Sequence, residues 1–224
     1  HTSTGVSKKN GFKHLKAGQT PAKLNAVDQE IFLEEKLKPV LKEATENKRH
    51  VFFMDASHFV MSAFLGYLWC LSRVFIKAPS GRQRYNVLGA LHAVTHQVVT
   101  FTNDAYINSY CVVELLKTIA AEFTDLPITI VLDNAKYQRN AYVMGEAIKL
   151  GIELLFLPTY SPNLNLIERL WKFVKSECLY SKHYEKFPEF KTAINACLSD
   201  TTNKHKERLS TLLTHNFQLF NKTS

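Results

Sequence analysis

Apolar positions along the chain fall into two rhythms. Over 26–46, Ile31, Leu33, Leu37, Val40 and Leu41 approximate a 3.6-residue stripe, which predicts a helix with Asp28 near its start and a kink or split at Pro39. Short unbroken apolar runs then predict strands: VFFMD, ending at Asp55; LWCLSRVFI over 68–76; YNVLGALHAV over 85–94; and QVVTFT over 97–102, the last two joined in a tight hairpin at Thr95–His96. A helix over 107–123 presents Val112, Leu115, Leu116 and Ile119 on one side. Next come the strand ITIVLD over 128–133, a helix over 139–150 stopped at Gly151, the strand IELLFL over 152–157, and a helix over 163–178 after the loop PTYSPN. A polar helical tail follows from 187. Antiparallel strands followed by alternating helices and strands make an α/β protein, a mixed sheet with helices packed on it.

Composition narrows the class. A chain of 224 residues, 46% hydrophobic and 21% charged, has the make-up of a globular protein. It shows no apolar run of the roughly 18–20 residues that a membrane helix needs, and its first residues lack the apolar core of a signal peptide. With no initiator Met, the chain is expected to be a fragment or a processed form. Cys70, Cys111, Cys178 and Cys197 are scattered, without CxxC or zinc-finger spacing, and are expected as reduced thiols. The net charge of +8 favours a polyanionic partner. The first 24 residues hold Lys8, Lys9, Lys13, Lys16 and Lys23 and no acid, as expected of an extended basic arm.

Three acids stand out from this pattern. Asp55 and Asp133 close apolar runs, and Glu168 opens the last helix, with 34 residues between it and Asp133. A carboxylate where a buried run meets solvent is a poor core residue and a good ligand for a hard cation. On the last helix Ile167, Leu170, Trp171, Val174 and Cys178 form an apolar face, while Asn165, Glu168, Lys172 and Lys175 lie on another side. Taken alone, Glu168 also fits a surface pair with Lys172, worth about 0.3–0.5 kcal/mol.

The words VFFMDASHF, GRQRYNVLGAL, ITIVLDNAKYQ and LPTYSPNLNLIERLWKFVK occur in that order. Over roughly 25–180 the chain thereby resembles the DDE transposases of the mariner superfamily, in particular the bacterial insertion-sequence branch. The resemblance implies an RNase H-like five-stranded sheet flanked by helices, with Asp55 and Asp133 on neighbouring strands and Glu168 beside them. It implies that these three hold two Mg²⁺ or Mn²⁺ ions and catalyse phosphodiester hydrolysis at transposon ends and 3′-hydroxyl strand transfer into target DNA. Its expected partners are double-stranded DNA, as terminal inverted repeats and as target with a TA preference, and a second copy in a dimer on paired ends. The implied setting is cytoplasmic, on bacterial nucleoid DNA. The division that follows is a basic arm over 1–24, a catalytic domain over 25–185 and a helical extension over 186–224.

The chain departs from this pattern at Gln138, where many relatives carry His, and at Leu166, where Pro is common. It also lacks the helix-turn-helix modules that read terminal repeats, so low sequence specificity is expected of it. Around the carboxylates, Asn134 is assigned either to orienting a metal-bound water or to capping its turn. His58 contacts substrate or makes a structural hydrogen bond. Pro158, Tyr160, Ser161 and Pro162 are expected to shape the entry to the last helix, with Tyr160 placed to stack near DNA, and Asn165 is expected to support the carboxylates from the side of Glu168. Arg82, Arg84, Lys136, Arg139, Lys172 and Lys175 are the candidate DNA contacts, or else a solvated basic surface. Trp69 is expected in the core. His92 and His96 have helical zinc spacing in a stretch read as strand, and are set aside. Two rival readings remain: an RNase H-like structure-selective or repair endonuclease without strand transfer, and an idle, transposase-derived DNA-binding protein.

Overall fold

The structure is a computed structural model and describes residues 25–61, 83–180 and 182–219. The strand read over 68–76, with Trp69, Cys70 and Arg82, lies outside them. Helix α1 (Ala26–Phe32) is capped by the Asn25 side chain, which accepts from the backbone of Val27 and Asp28. A π turn (Leu33–Leu37) then runs directly into α2 (Lys38–Thr45). Pro39 thus neither ends nor splits the helix. The wider turn before it takes up the ring and the missing N–H, and Pro39 sits in the first turn of α2.

Five strands follow: β1 (His50–Met61), β2 (Gln83–His92), β3 (Val98–Asn103), β4 (Ile128–Leu132) and β5 (Ile152–Phe156), in sheet order β3-β2-β1-β4-β5. The β2–β3 hairpin turns where the alternation stops, with His96 in the left-handed region at φ 61°. β4 and β5 add in parallel. Their crossover is α4 (Ala141–Lys149), ended by Gly151 at φ 68°. α3 (Ser109–Glu122) joins the antiparallel half to the parallel half. A 3₁₀ turn (Pro162–Leu164) leads into α5 (Ile167–Cys178), followed by α6 (Phe187–Ser199) and α7 (Lys206–Leu212).

Helices cover both faces. On one, Phe52, Met54, Leu88, Ile130 and Leu132 pack with α3 and α4. On the other, Phe53, Phe59, Val87 and Val131 pack with α1, α2, α5, α6 and α7, so the tail belongs to the main core through Phe190, Ile194 and Leu209. One expectation needs correction. Asp55 does not end its strand: β1 runs on to Met61, paired with β2 alone once β4 has stopped at Leu132. Asp55 marks the point where the sheet narrows.

Candidate active site

The last ladder pair between β1 and β4 is Met54 with Leu132. One residue further in that register, Asp55 stands beside Asp133. Period-2 alternation turns both toward the face that carries α5, alongside Phe53 and Val131. Glu168 lies in the first turn of α5, where the positive end of the helix dipole favours a carboxylate. Asp55, Asp133 and Glu168 all line one cleft of about 310 Å³, walled by Asn134, Leu157 and the segment from Pro158 to Pro162, with Asn165 at its base. This cleft lies outside the carboxyl end of β4, the usual place for a site on parallel strands.

Neutral donors hold one oxygen of each Asp. Trp171 Nε1 donates to Asp55 Oδ2 at 3.2 Å. The indole reaches it because Gly89, paired directly with Asp55, has no side chain: a Cβ there would stand 2.7 Å from Trp171 Cη2. Asp133 Oδ1 accepts from Ala135 N at 2.9 Å. With its amide assigned so that nitrogen faces oxygen, the fully buried Gln138 donates to that same Oδ1 and, at 3.2 Å, to the Asp133 backbone oxygen. Among the described residues the other carboxylate oxygens, Asp55 Oδ1 and Asp133 Oδ2, make no hydrogen bond to a side chain and are left to the cleft. Asn165 donates to Met54 O at 3.4 Å, and its buried Oδ1 has no partner.

The electrostatics match a site built for a cation. Burial and then the charge of Glu168 push Asp55 up to about 7; the Ala56 N–H opposes them, followed by a lesser push from Asp133 and a lesser pull from the Trp171 N–H. Burial and the same two Asp charges raise Tyr137. Among the described residues no three His, Cys, Asp or Glu side chains are arranged to hold a single ion. Mutual repulsion of three acids with no countercharge between them is the physical reason to expect such spreading. The donor set still suits a hard divalent cation: all oxygen, anionic, with one buried amide oxygen unsatisfied.

The remaining candidates separate cleanly. Glu168 forms no ion pair with Lys172, so the surface-pair reading of that acid is not what the fold adopts. Asn134 lines the cleft, donating to Leu157 O and accepting from Arg139 Nη1 at 2.5 Å. Arg139 also lies over the Phe156 ring, 5.2 Å from its centroid. His58 points away from the cleft and bonds Asn86 Oδ1 at 2.7 Å, the structural alternative. Arg84 pairs with Val60, five residues along β1 from Asp55. Lys136 and Lys172 are exposed, and Lys175 lies 5.9 Å from the Phe59 centroid. None of these cations lines the cleft. Tyr160 does, half exposed at its rim in a left-handed conformation, φ 59°. Leu166 holds φ −60°, the angle a proline would impose, and its side chain is buried, so the first turn of α5 is intact.

The supports carry little signal in the sequence: Trp171 reads as part of an apolar face and Gln138 as a departure from His, and the one signal for Trp171 is its position three residues beyond Glu168.

Comparison with known proteins follows the same lines. No curated protein matches the chain. Among solved structures, similarity extends to a Mos1 transposase paired-end complex with left transposon end (TM-score 0.63, 12% identity, 94% of this chain and 69% of that one). It extends also to a Mos1 transposase catalytic domain with raltegravir and Mn (0.57, 12%, 90% and 100%). A third is a simian T-cell lymphotropic virus intasome in complex with the PP2A regulatory subunit B56 gamma (0.50, 18%, 70% and 49%). At these identities the likeness establishes the RNase H-like fold. The sequence profile described as DDE superfamily endonuclease matches residues 50–191, well over half of the chain, so the chain belongs to the DDE superfamily endonucleases.

Proposed function

We propose that this chain is the catalytic domain of a cut-and-paste DNA transposase of the mariner superfamily, in its bacterial insertion-sequence branch, acting on DNA in the cytoplasm. It hydrolyses phosphodiester bonds at transposon ends and joins the freed 3′-hydroxyls to target DNA. The observation that carries this reading is the convergence of Asp55, Asp133 and Glu168 on one cleft, with one oxygen of each Asp tethered by a neutral donor and the other, among the described residues, without a side-chain partner. Family membership and the likeness to transposase complexes support it.

Asp55, Asp133 and Glu168 would hold Mg²⁺ or Mn²⁺, a choice of metal that the similar Mos1 paired-end complexes with Mn and with Mg support, and the proposal puts two ions in each site. Bound there, the metal supplies Lewis-acid activation of a water or 3′-hydroxyl and stabilises the leaving oxygen. The chain's own residues do the positioning. Trp171 and Gln138 fix the Asp carboxylates in single rotamers, which lowers the ordering cost of ligand binding. Asn165 offers its unpaired Oδ1 to a bound water, with Asn134 bracing the neighbouring turn. Arg84, Lys136, Arg139, Lys172 and Lys175, with Arg82, are the proposed phosphate contacts outside the cleft. The catalytic domain comprises 25–185, preceded by a basic arm over 1–24 and extended by 186–224. It acts as a dimer on paired terminal repeats.

The test supplies Mn²⁺, a duplex bearing the inverted repeats that flank the coding gene, and a plasmid target, and compares wild type with Asp133→Ala. Joined product from wild type alone supports the proposal. Full activity in the variant sinks the mechanism, and nicking without joining would favour the endonuclease reading instead.

A further inference from the structure

The wall of the cleft is held from an unexpected direction. Gln29, in the first helix after the basic segment, is fully buried, a rare position for an amide. Its Nε2 donates to Ser161 Oγ at 2.8 Å and to Asn163 Oδ1 at 3.2 Å, with Tyr160 O at 3.5 Å. Asn163 Nδ2 returns a bond to Gln29 Oε1 at 3.0 Å, closing a reciprocal amide pair, and reaches Gln218 O at 3.0 Å.

The bonded loop is the one that needs holding. Tyr160 is a non-glycine residue at φ 59°, in the left-handed region that side-chain-bearing residues rarely adopt. Such a turn persists only where its surroundings over-determine it. The next residues form the 3₁₀ turn, whose Pro162 O accepts from Asn165 N at 3.0 Å; Asn165 O in turn accepts from Glu168 N at 3.2 Å. One continuous path of bonds therefore runs from Gln29 through this turn to the backbone of Glu168.

We infer that Gln29 is a positioning residue for the reaction: it clamps the loop over Tyr160–Asn163 and thereby sets Asn165 and Glu168 in the cleft and the Tyr160 ring at its rim. This rests on the function proposed above. Because the clamp is polar and the sequence separation is over 130 residues, α1 and the loop are joined by directed bonds that an apolar substitution removes while keeping volume.

The experiment uses the full chain and two readouts. In metal-free, DNA-free protein, Gln29→Leu should speed hydrogen exchange of the peptide spanning 159–166 about tenfold, with the β1 and β4 amides unchanged. In Mn²⁺-dependent nicking of a supercoiled plasmid, kcat should fall about tenfold with KM for DNA within about twofold. The double variant Gln29→Leu/Asn163→Leu, apolar on both sides, should recover thermal stability without recovering kcat; recovery of both would reduce Gln29 to packing and overturn the inference. Wild-type loop exchange in Gln29→Leu would also overturn it, as would unchanged kcat with a loosened loop. If wild type fails to nick at all, the proposed function falls, and the exchange readout alone decides the clamp.

Discussion

Two polar clusters share the central strands, one at the start of β1 and the other where β4 stops beside it, and one is closed where the other is open. At the start of β1 and the end of β2, His92 Nδ1 accepts from Val94 N and Thr95 N, at 3.2 and 3.1 Å. That leaves its Nε2–H to meet His50 Nδ1 at 3.1 Å, and so His50 Nε2–H to donate to Asp125 at 2.8 Å. Every ring nitrogen of the pair is used. At the carboxylate cluster, among the described residues, no side chain reaches the second oxygen of either Asp, and Asn165 Oδ1 has no partner. Both ends suppress charge: burial and the neighbouring His50 and His96 drive His92 down to about 4, as burial and Glu168 drive Asp55 up to about 7. A satisfied network is a structural element. One with open acceptors and a destabilised anion waits for a ligand.

The comparison breaks hardest if the open end is emptied. Asp133→Ala should cost a thousandfold or more in Mn²⁺-dependent strand cleavage, about 4 kcal/mol in transition-state stabilisation, with the melting curve retained. His92→Asn, whose side-chain oxygen can still accept from Val94 and Thr95, should leave cleavage at pH 7.5 within about twofold. Equal losses in the two variants would erase the distinction between the clusters.

The next effect is on stability and has the opposite sign. Asp55 titrates at about 7 in the fold against 3.8 unfolded, so the folded state binds the proton more tightly. Its contribution is fully present below pH 3.8 and is lost as pH rises to about 7, up to about 4 kcal/mol. Asp55→Asn should therefore stabilise the metal-free protein at pH 8, by roughly 2–4 kcal/mol, while abolishing cleavage. Added Mn²⁺ should stabilise wild type at pH 8 and fail to stabilise the variant. A variant less stable than wild type at pH 8 without metal would mean that Asp55 is not a destabilised anion.

Much of this was legible in the sequence, for identifiable reasons. Apolar runs and stripes located the helices and the other described strands because each element buries one side, and the motif words singled out three carboxylates that line one cleft. Reading Asp55 as a strand terminus was correct for Asp133, which β4 ends before, and wrong for Asp55, because an apolar run does not disclose that β2 continues to pair with β1 after β4 stops. Gln138 and Gln29 were invisible for another reason. Their partners are set by loop geometry and by contacts far apart in sequence, and a buried amide has no sequence period.

At the closed end the pH dependence reverses. His92 titrates near 4 in the fold against 6.5 unfolded, so its contribution is present above pH 6.5 and is lost as pH falls through about 4, up to about 3 kcal/mol. In wild type this acid limb is partly masked by Asp55, whose contribution grows over an overlapping range. Asp55→Asn should expose it as a continuous fall in stability between pH 6.5 and 4, and His92→Asn should flatten that fall. Persistence of the full limb in the double variant would assign it elsewhere, to His96 for example, which burial and His215 also depress.

The smallest expected effect tests the joint between the sheet and the open cluster. A methyl at Gly89 would meet Trp171 at 2.7 and 3.0 Å and Ile167 Cδ1 at 3.3 Å. Gly89→Ala should cost about 1–3 kcal/mol by overpacking and push the indole off Asp55 Oδ2. Trp171→Phe in the same chain narrows the ring and should restore most of that stability, yet it cannot restore the N–H. The pair thus separates packing from positioning: the melting temperature recovers, while Mn²⁺ affinity, measured by calorimetry, stays weakened because the Asp55 carboxylate is free to rotate. The bonds of the His50–His92 cluster should be the same in all three proteins, since no contact of that cluster involves Gly89 or Trp171. Full recovery of Mn²⁺ affinity in Gly89→Ala/Trp171→Phe would show that the indole only fills space, and that what keeps the open end open lies in Gln138 and the loop alone.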